Sequence, residues 1–167
     1  MVSVAAKLVF GALLLWACRY DWRARRIPNL LVVVVGVLGI AHAFMVQPAA
    51  PAFWRIIGGL LVGMGIWLPL YAVGMIGAGD VKFFAAAAMW LGAAAAVRAS
   101  LLTALFGGVL AVAWVATSRW RVGASSAEVA GRAPDELVEM GTKRRLPYGL
   151  AMAAGLAVVA WSDRLLG

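Results

Sequence analysis

Six apolar runs, most of them near the length of a membrane crossing, constrain this chain more than any other feature. They lie at about 4–20, 30–45, 53–73, 81–97, 101–114 and 147–161. A helix needs roughly 20 apolar residues to cross a hydrocarbon core about 30 Å thick. Within lipid, a helix satisfies its own backbone groups. The expected fold class is therefore all-α, a polytopic membrane protein with six transmembrane helices. Little of the 167-residue chain is left over. Residues 1–167 read as one membrane-embedded domain, whose single sizeable polar segment is a loop at about 117–146.

Composition agrees. The chain is 65% hydrophobic and 13% charged, with a mean hydropathy of +0.94. Soluble domains average roughly 45–50% apolar and about 25% charged. In a soluble protein the net charge of +8 would point to nucleic acid. Here it reads as lysines and arginines that fix topology and meet anionic lipid headgroups, with no nucleic-acid partner. Eleven of the fifteen basic residues fall on one set of loops: Arg19, Arg23, Arg25, Arg26, Lys82, Arg119, Arg121, Arg132, Lys143, Arg144 and Arg145. Lys7, Arg55, Arg98 and Arg164 fall on the other. Such a bias places the first set in the cytoplasm and both chain termini outside it. The positive charge follows the first apolar run, the reverse of a secretory signal, so that run is expected to be an uncleaved anchor. Trp54, Trp90, Trp114, Trp120 and Trp161 stand near expected helix ends, as an interfacial aromatic belt would.

Two aspartates stand apart from the other acids. Glu128, Asp135, Glu136 and Glu139 lie in the polar loop, and Asp163 near the outer end. Asp21 and Asp80 instead sit at helix edges on the same expected face of the membrane, where a carboxylate is costly and by default functional. Two carboxylates brought close together cannot both ionise cheaply, so they share a proton. The protonated one can polarise a carbonyl while the ionised one activates water. Gly77 and Gly79 flank the second aspartate and let the backbone turn and a substrate strand approach. Lys82 could meet lipid phosphate or substrate.

Other features carry less chemistry. Gly59 and Gly63 form a GxxxG pair suited to close helix contact. Pro69 should kink or end the third span. Residues 133–141 read as a short helix with proline in its first turn. His42 reads as a packed, neutral histidine. Cys18, the lone cysteine, reads as a small buried hydrophobe and excludes an internal disulfide or a multi-cysteine zinc site. No metal site or cofactor is expected. Against the dyad stand two other readings: each aspartate is paired with a neighbouring cation, or the carboxylates are ion sites of a small transporter or channel subunit. A non-catalytic assembly or scaffold protein is a third.

Gly77-Ala78-Gly79-Asp80-Val81-Lys82 resembles the GxGDxK motif of type IV prepilin peptidases, which are membrane aspartic proteases. The stretch from Asp21 to Asn29 resembles the family's D-x-R-x-x-R-I-P-N segment, and Pro147-Tyr148-Gly149-Leu150-Ala151-Met152-Ala153 is similar to its PYGxAxA-like entry to the last helix. The resemblance implies that Asp21 and Asp80 are the catalytic pair, with Gly77, Gly79 and Lys82 in the second active-site loop. Arg26, Pro28, Asn29, Pro147, Tyr148 and Gly149 become candidates for substrate or lipid contact. The implied substrate is a prepilin or pseudopilin, cut between a basic leader and an apolar helix, typically just after a glycine. Cutting would occur at the cytoplasmic face of a bacterial inner membrane, in contact with pilus assembly machinery. Long, bifunctional members carry an added cytoplasmic segment, often with two CxxC pairs, and methylate the new N-terminus. This chain lacks those pairs, so it looks most like the short TadV/CpaA-type enzymes of Flp-type tight-adherence systems, without N-methyltransferase activity.

Overall fold

The computed structural model describes residues 4–24, 27–122 and 148–162. Six helices follow in order: α1 (Val4–Ala24), α2 (Asn29–Val46), α3 (Ala49–Ala72), α4 (Ala78–Leu91), α5 (Ala93–Val122) and α6 (Tyr148–Ser162). Among the described residues there is no strand.

The outside of this bundle is apolar. Leu8, Leu15, Leu30, Met45, Leu61 and Leu101 are all more than 60% exposed. A water-soluble monomer rarely shows apolar patches beyond a few hundred Å², whereas a lipid-facing surface consists of them. Among the described residues three helices are long and apolar enough to cross a membrane: Asn29–Val46, Ala49–Ala72 and Ala93–Ala113. Gly149–Ser162 is a shorter apolar helix.

Helix α4 is the hub. At 14 residues it covers about 21 Å at 1.5 Å per residue, and its faces do not need to meet lipid. It is enclosed instead: Phe83, Phe84, Ala87 and Ala88 have no exposed surface. A helix apolar all round belongs inside. Small residues bring its neighbours close. A Cβ on Gly59 would run into the Ala88 carbonyl oxygen, and one on Gly63 would lie 3.0 Å from the Ala85 Cα. The GxxxG pair of α3 is thus the face packed on α4. Gly155 of α6 packs as tightly on Thr103 of α5, where a Cβ would stand 2.7 Å from the Thr103 amide nitrogen.

The two ends of the bundle differ. At one end Trp90 lies buried, donating from Nε1 to the Val35 carbonyl at 2.9 Å and stacking on His42 at 5.1 Å. Arg55 donates to the Trp90 carbonyl, one of the last carbonyls of α4, which have no partner within that helix. Trp90 therefore belongs to the core and not to the aromatic belt, because its ring fills the space between α1, α2 and α4. Trp54 and Trp161 are exposed as a belt requires, at 70% and 50%. The side chains of Trp114 and Trp120 lie outside the described residues. His42 is packed as expected, 5% exposed.

Three boundaries depart from the sequence reading. The expected fourth span, 81–97, is broken at Gly92, whose φ of +82° suits a residue without a Cβ. The expected polar break at 98–100 stays helical because the Ser100 hydroxyl donates to the Ala96 carbonyl at 2.8 Å and accepts from Trp67 Nε1 at 3.2 Å. Helix α5 also continues to Val122, past the expected loop start at 117. The short helix expected at 133–141 lies outside the described residues.

Candidate active site

The end opposite Trp90 gathers the C-terminal turn of α1, the start of α2, the end of α3, and the starts of α4 and α6. Contacts fix this register. Phe10 of α1 meets Trp90 at one end, and Ile27, just after α1, meets Gly79 at the other. Gly11 packs on Trp161 while Cys18 reaches the Gly149 carbonyl, so α1 and α6 run antiparallel. Asp21, Asp80 and Gly149 therefore share one end of the bundle.

Asp21 lies on the last turn of α1 and not in a loop, since the helix runs on to Ala24. It is 7% exposed. Its Oδ2 accepts from the Gly149 amide at 2.9 Å, across 128 residues of sequence. That amide is in the first turn of α6, where backbone N–H groups have no partner within the helix. A carboxylate suits the positive end of the helix dipole there. Asp21 thus caps a helix other than its own.

Asp80 caps its own helix. Helix α3 ends at a left-handed Gly74, φ +76°. Met75 N–H donates to the Leu70 carbonyl at 3.0 Å and Gly74 N–H to the Tyr71 carbonyl at 2.9 Å. These two bonds make a Schellman motif, so α3 ends on glycine, one turn beyond Pro69. The chain then runs extended into Gly77, φ −82° and ψ 150°. Asp80, three residues on, accepts from the Gly77 amide at 3.2 Å and donates its own amide to the Gly77 carbonyl at 3.1 Å. Glycine has no side chain to complete a reciprocal capping box, so the side-chain bond of this closure comes from Asp80. Asp80 is half-buried.

The remaining expected residues divide. Pro28 stands at the N-cap of α2, its carbonyl accepting from Leu31 at 3.0 Å, and Asn29 is the exposed first residue of that helix. Lys82 is exposed on α4, and residues two apart on a helix do not face one way. Gly79 has room: a Cβ would meet Ile27 at 3.6 Å or more, ordinary contact, so packing inside the protein does not require glycine there. At Gly77 a Cβ would come within 3.2 Å of the Asp80 carboxylate. Arg26 and Pro147 lie outside the described residues, as does the Tyr148 side chain. Ile27 was not singled out from sequence. It is 7% exposed and packs beside Gly79. The signal for it was an apolar residue between arginines and proline. Among the described residues no three His, Cys, Asp or Glu side chains gather as a metal site would need.

Comparison with curated proteins and with solved structures returned no match. A family model described as the type IV leader peptidase family matches residues 8–112, a span that holds both aspartates and the glycine-rich turn between α3 and α4. By that match, over more than half its length, the chain belongs to the type IV leader peptidase family.

Proposed function

We propose that this protein is an aspartic endopeptidase that removes the basic leader of Flp-type prepilins or pseudopilins at the cytoplasmic face of a bacterial inner membrane. Six spans with both termini outside the cytoplasm would carry it there. The observation that supports this most is the shared placement of Asp21 and Asp80 at one end of the bundle. Each is oriented by a backbone amide at a helix start, Gly149 for Asp21 and Gly77 for Asp80.

The pair shares one proton, and its ionisations belong to the pair and not to either residue. The protonated carboxyl donates to the scissile carbonyl oxygen. The ionised one takes a proton from water as that water attacks the carbonyl carbon. The tetrahedral intermediate collapses when a carboxyl protonates the departing amine, which becomes the new pilin N-terminus. No covalent enzyme intermediate forms. The amide bonds hold both carboxylates in position before substrate arrives, and such positioning accounts for a large part of the rate. The new amine leaves unmethylated, in keeping with the absence of paired cysteines.

Co-expression with a candidate prepilin tests this reading, with cleavage read by gel mobility and by the mass of the new N-terminus. Wild type cleaves, and Asp21→Asn and Asp80→Asn, each inserted at normal level, do not. Cleavage that survives both changes overturns the aspartic mechanism.

A further inference from the structure

A groove of about 390 Å³ runs along the outside of the bundle between α1 and α6. Gly11, Leu14 and Cys18 line it on α1, with Ala154, Ala157 and Trp161 on α6. From Leu150 to Trp161 it follows α6 for about 16 Å at 1.5 Å per residue, roughly three helical turns. Its volume falls in the range of ligand clefts.

Its direction is set by α1. Gly11, Leu14, Cys18 and Asp21 are spaced three, four and three residues apart, which puts them on one stripe of the helix. The apolar floor therefore leads along one face directly to the Asp21 carboxylate. Cys18, the last floor residue, reaches the Gly149 carbonyl, and the amide of the same Gly149 binds Asp21. Arg19 and Arg23 are exposed two residues to either side of Asp21 and so point off this stripe. At the far end Trp161 lies over Gly11, where a Cβ would come within 2.8 Å of its ring.

We propose, resting on the leader-peptidase reading above, that this groove receives the apolar transmembrane helix of the polypeptide substrate, with the polar end of that helix at Asp21. Small residues on the α6 wall let a second backbone come close, the condition for helix association in lipid. A phospholipid is the poorer occupant, because its phosphate would meet a carboxylate of like charge at the polar end. A cationic segment preceding an apolar helix would meet the opposite charge there.

Cys18 is the chain's single cysteine and lines the groove, so the test needs no substitution in it. An Asp80→Asn enzyme, which retains substrate, is co-expressed with a prepilin carrying one cysteine walked through its apolar helix. The membranes are oxidised with copper phenanthroline. Disulfide-linked heterodimers are expected at substrate positions three to four residues apart, within the first three turns after the cleavage site. In parallel, Ala157→Trp fills the groove and lowers kcat/KM about tenfold, chiefly through KM. Leu61→Trp, on the exposed face of α3, leaves the rate unchanged. Cleavage by wild type without heterodimers, or with a silent Ala157→Trp, overturns the groove while leaving the peptidase. A Cys18–Cys18 homodimer in place of heterodimers assigns the groove to a second copy and overturns it also. Heterodimers without wild-type cleavage keep the docking site and overturn the activity, and neither signal overturns both.

Discussion

The Gly149 amide at the start of α6 donates to the Asp21 carboxylate at the end of α1, at 2.9 Å and 128 residues away in sequence. One bond therefore closes the first and last helices over the candidate site. It makes the position of Asp21 depend on a segment that lies beyond residues 8–112, the span matched by the family model.

Gly149→Ala should uncouple that arrangement. The new Cβ would stand 2.7 Å from Asp21 Oδ2 and 2.9 Å from its Cγ, so the carboxylate must move. Alanine favours helix more than glycine does, so α6 itself should form. Prepilin cleavage should fall about a hundredfold, as a displacement near 1 Å commonly causes. Membrane insertion should be normal by protease accessibility. Cleavage at the wild-type rate would show that this bond does not position the carboxylate.

Gly59 and Gly65 lie on one helix and make an internal control. Gly59→Ala would drive a Cβ into the Ala88 carbonyl, 2.7 Å from its carbon, whereas a Cβ on Gly65 meets nothing within 4 Å. Overpacking of this kind costs about 1–3 kcal/mol. Thermal inactivation in detergent should come several degrees earlier for Gly59→Ala and no earlier for Gly65→Ala. Equal midpoints for the two would contradict the close α3–α4 contact.

Gly74 is held at φ +76° with open space where a Cβ would be. The cost of Gly74→Ala is thus conformational, about 1–2 kcal/mol, and Gly74→Asn should cost less because asparagine tolerates the left-handed region. Since the turn leads into Gly77 and Asp80, cleavage should drop in the same order, alanine below asparagine. A reversed order would mean that side-chain size, not backbone conformation, governs this turn.

Trp90→Phe removes the donor to the Val35 carbonyl while keeping much of the ring. The Val35 carbonyl keeps its bond within α2, so the cost is that of one net hydrogen bond, about 0.5–1.5 kcal/mol. The expected effect is lower thermal stability with little change in kcat for prepilin cleavage, because Trp90 lies at the opposite end of the bundle from Asp80. A selective loss of kcat without loss of stability would tie that end to the chemistry.

Much of this protein is determined by local sequence. Apolar run length set the helical class and four of the spans to within a few residues. Carboxylates at the edges of those runs marked Asp21 and Asp80, since charge beside hydrocarbon is expensive wherever the chain goes. The break at Gly92 was not legible, because the apolar run continues through it to Val97 and only packing decides where the helix ends. Nor could sequence tell that Trp90 is core, since a tryptophan near a helix end suits an interface equally well. Only the tertiary structure decided that α4 is the enclosed hub, that Asp21 caps α6, and that a groove along α1 leads to it. Each of these depends on which helix packs against which, and the periodicity of a single helix carries no information about its partner.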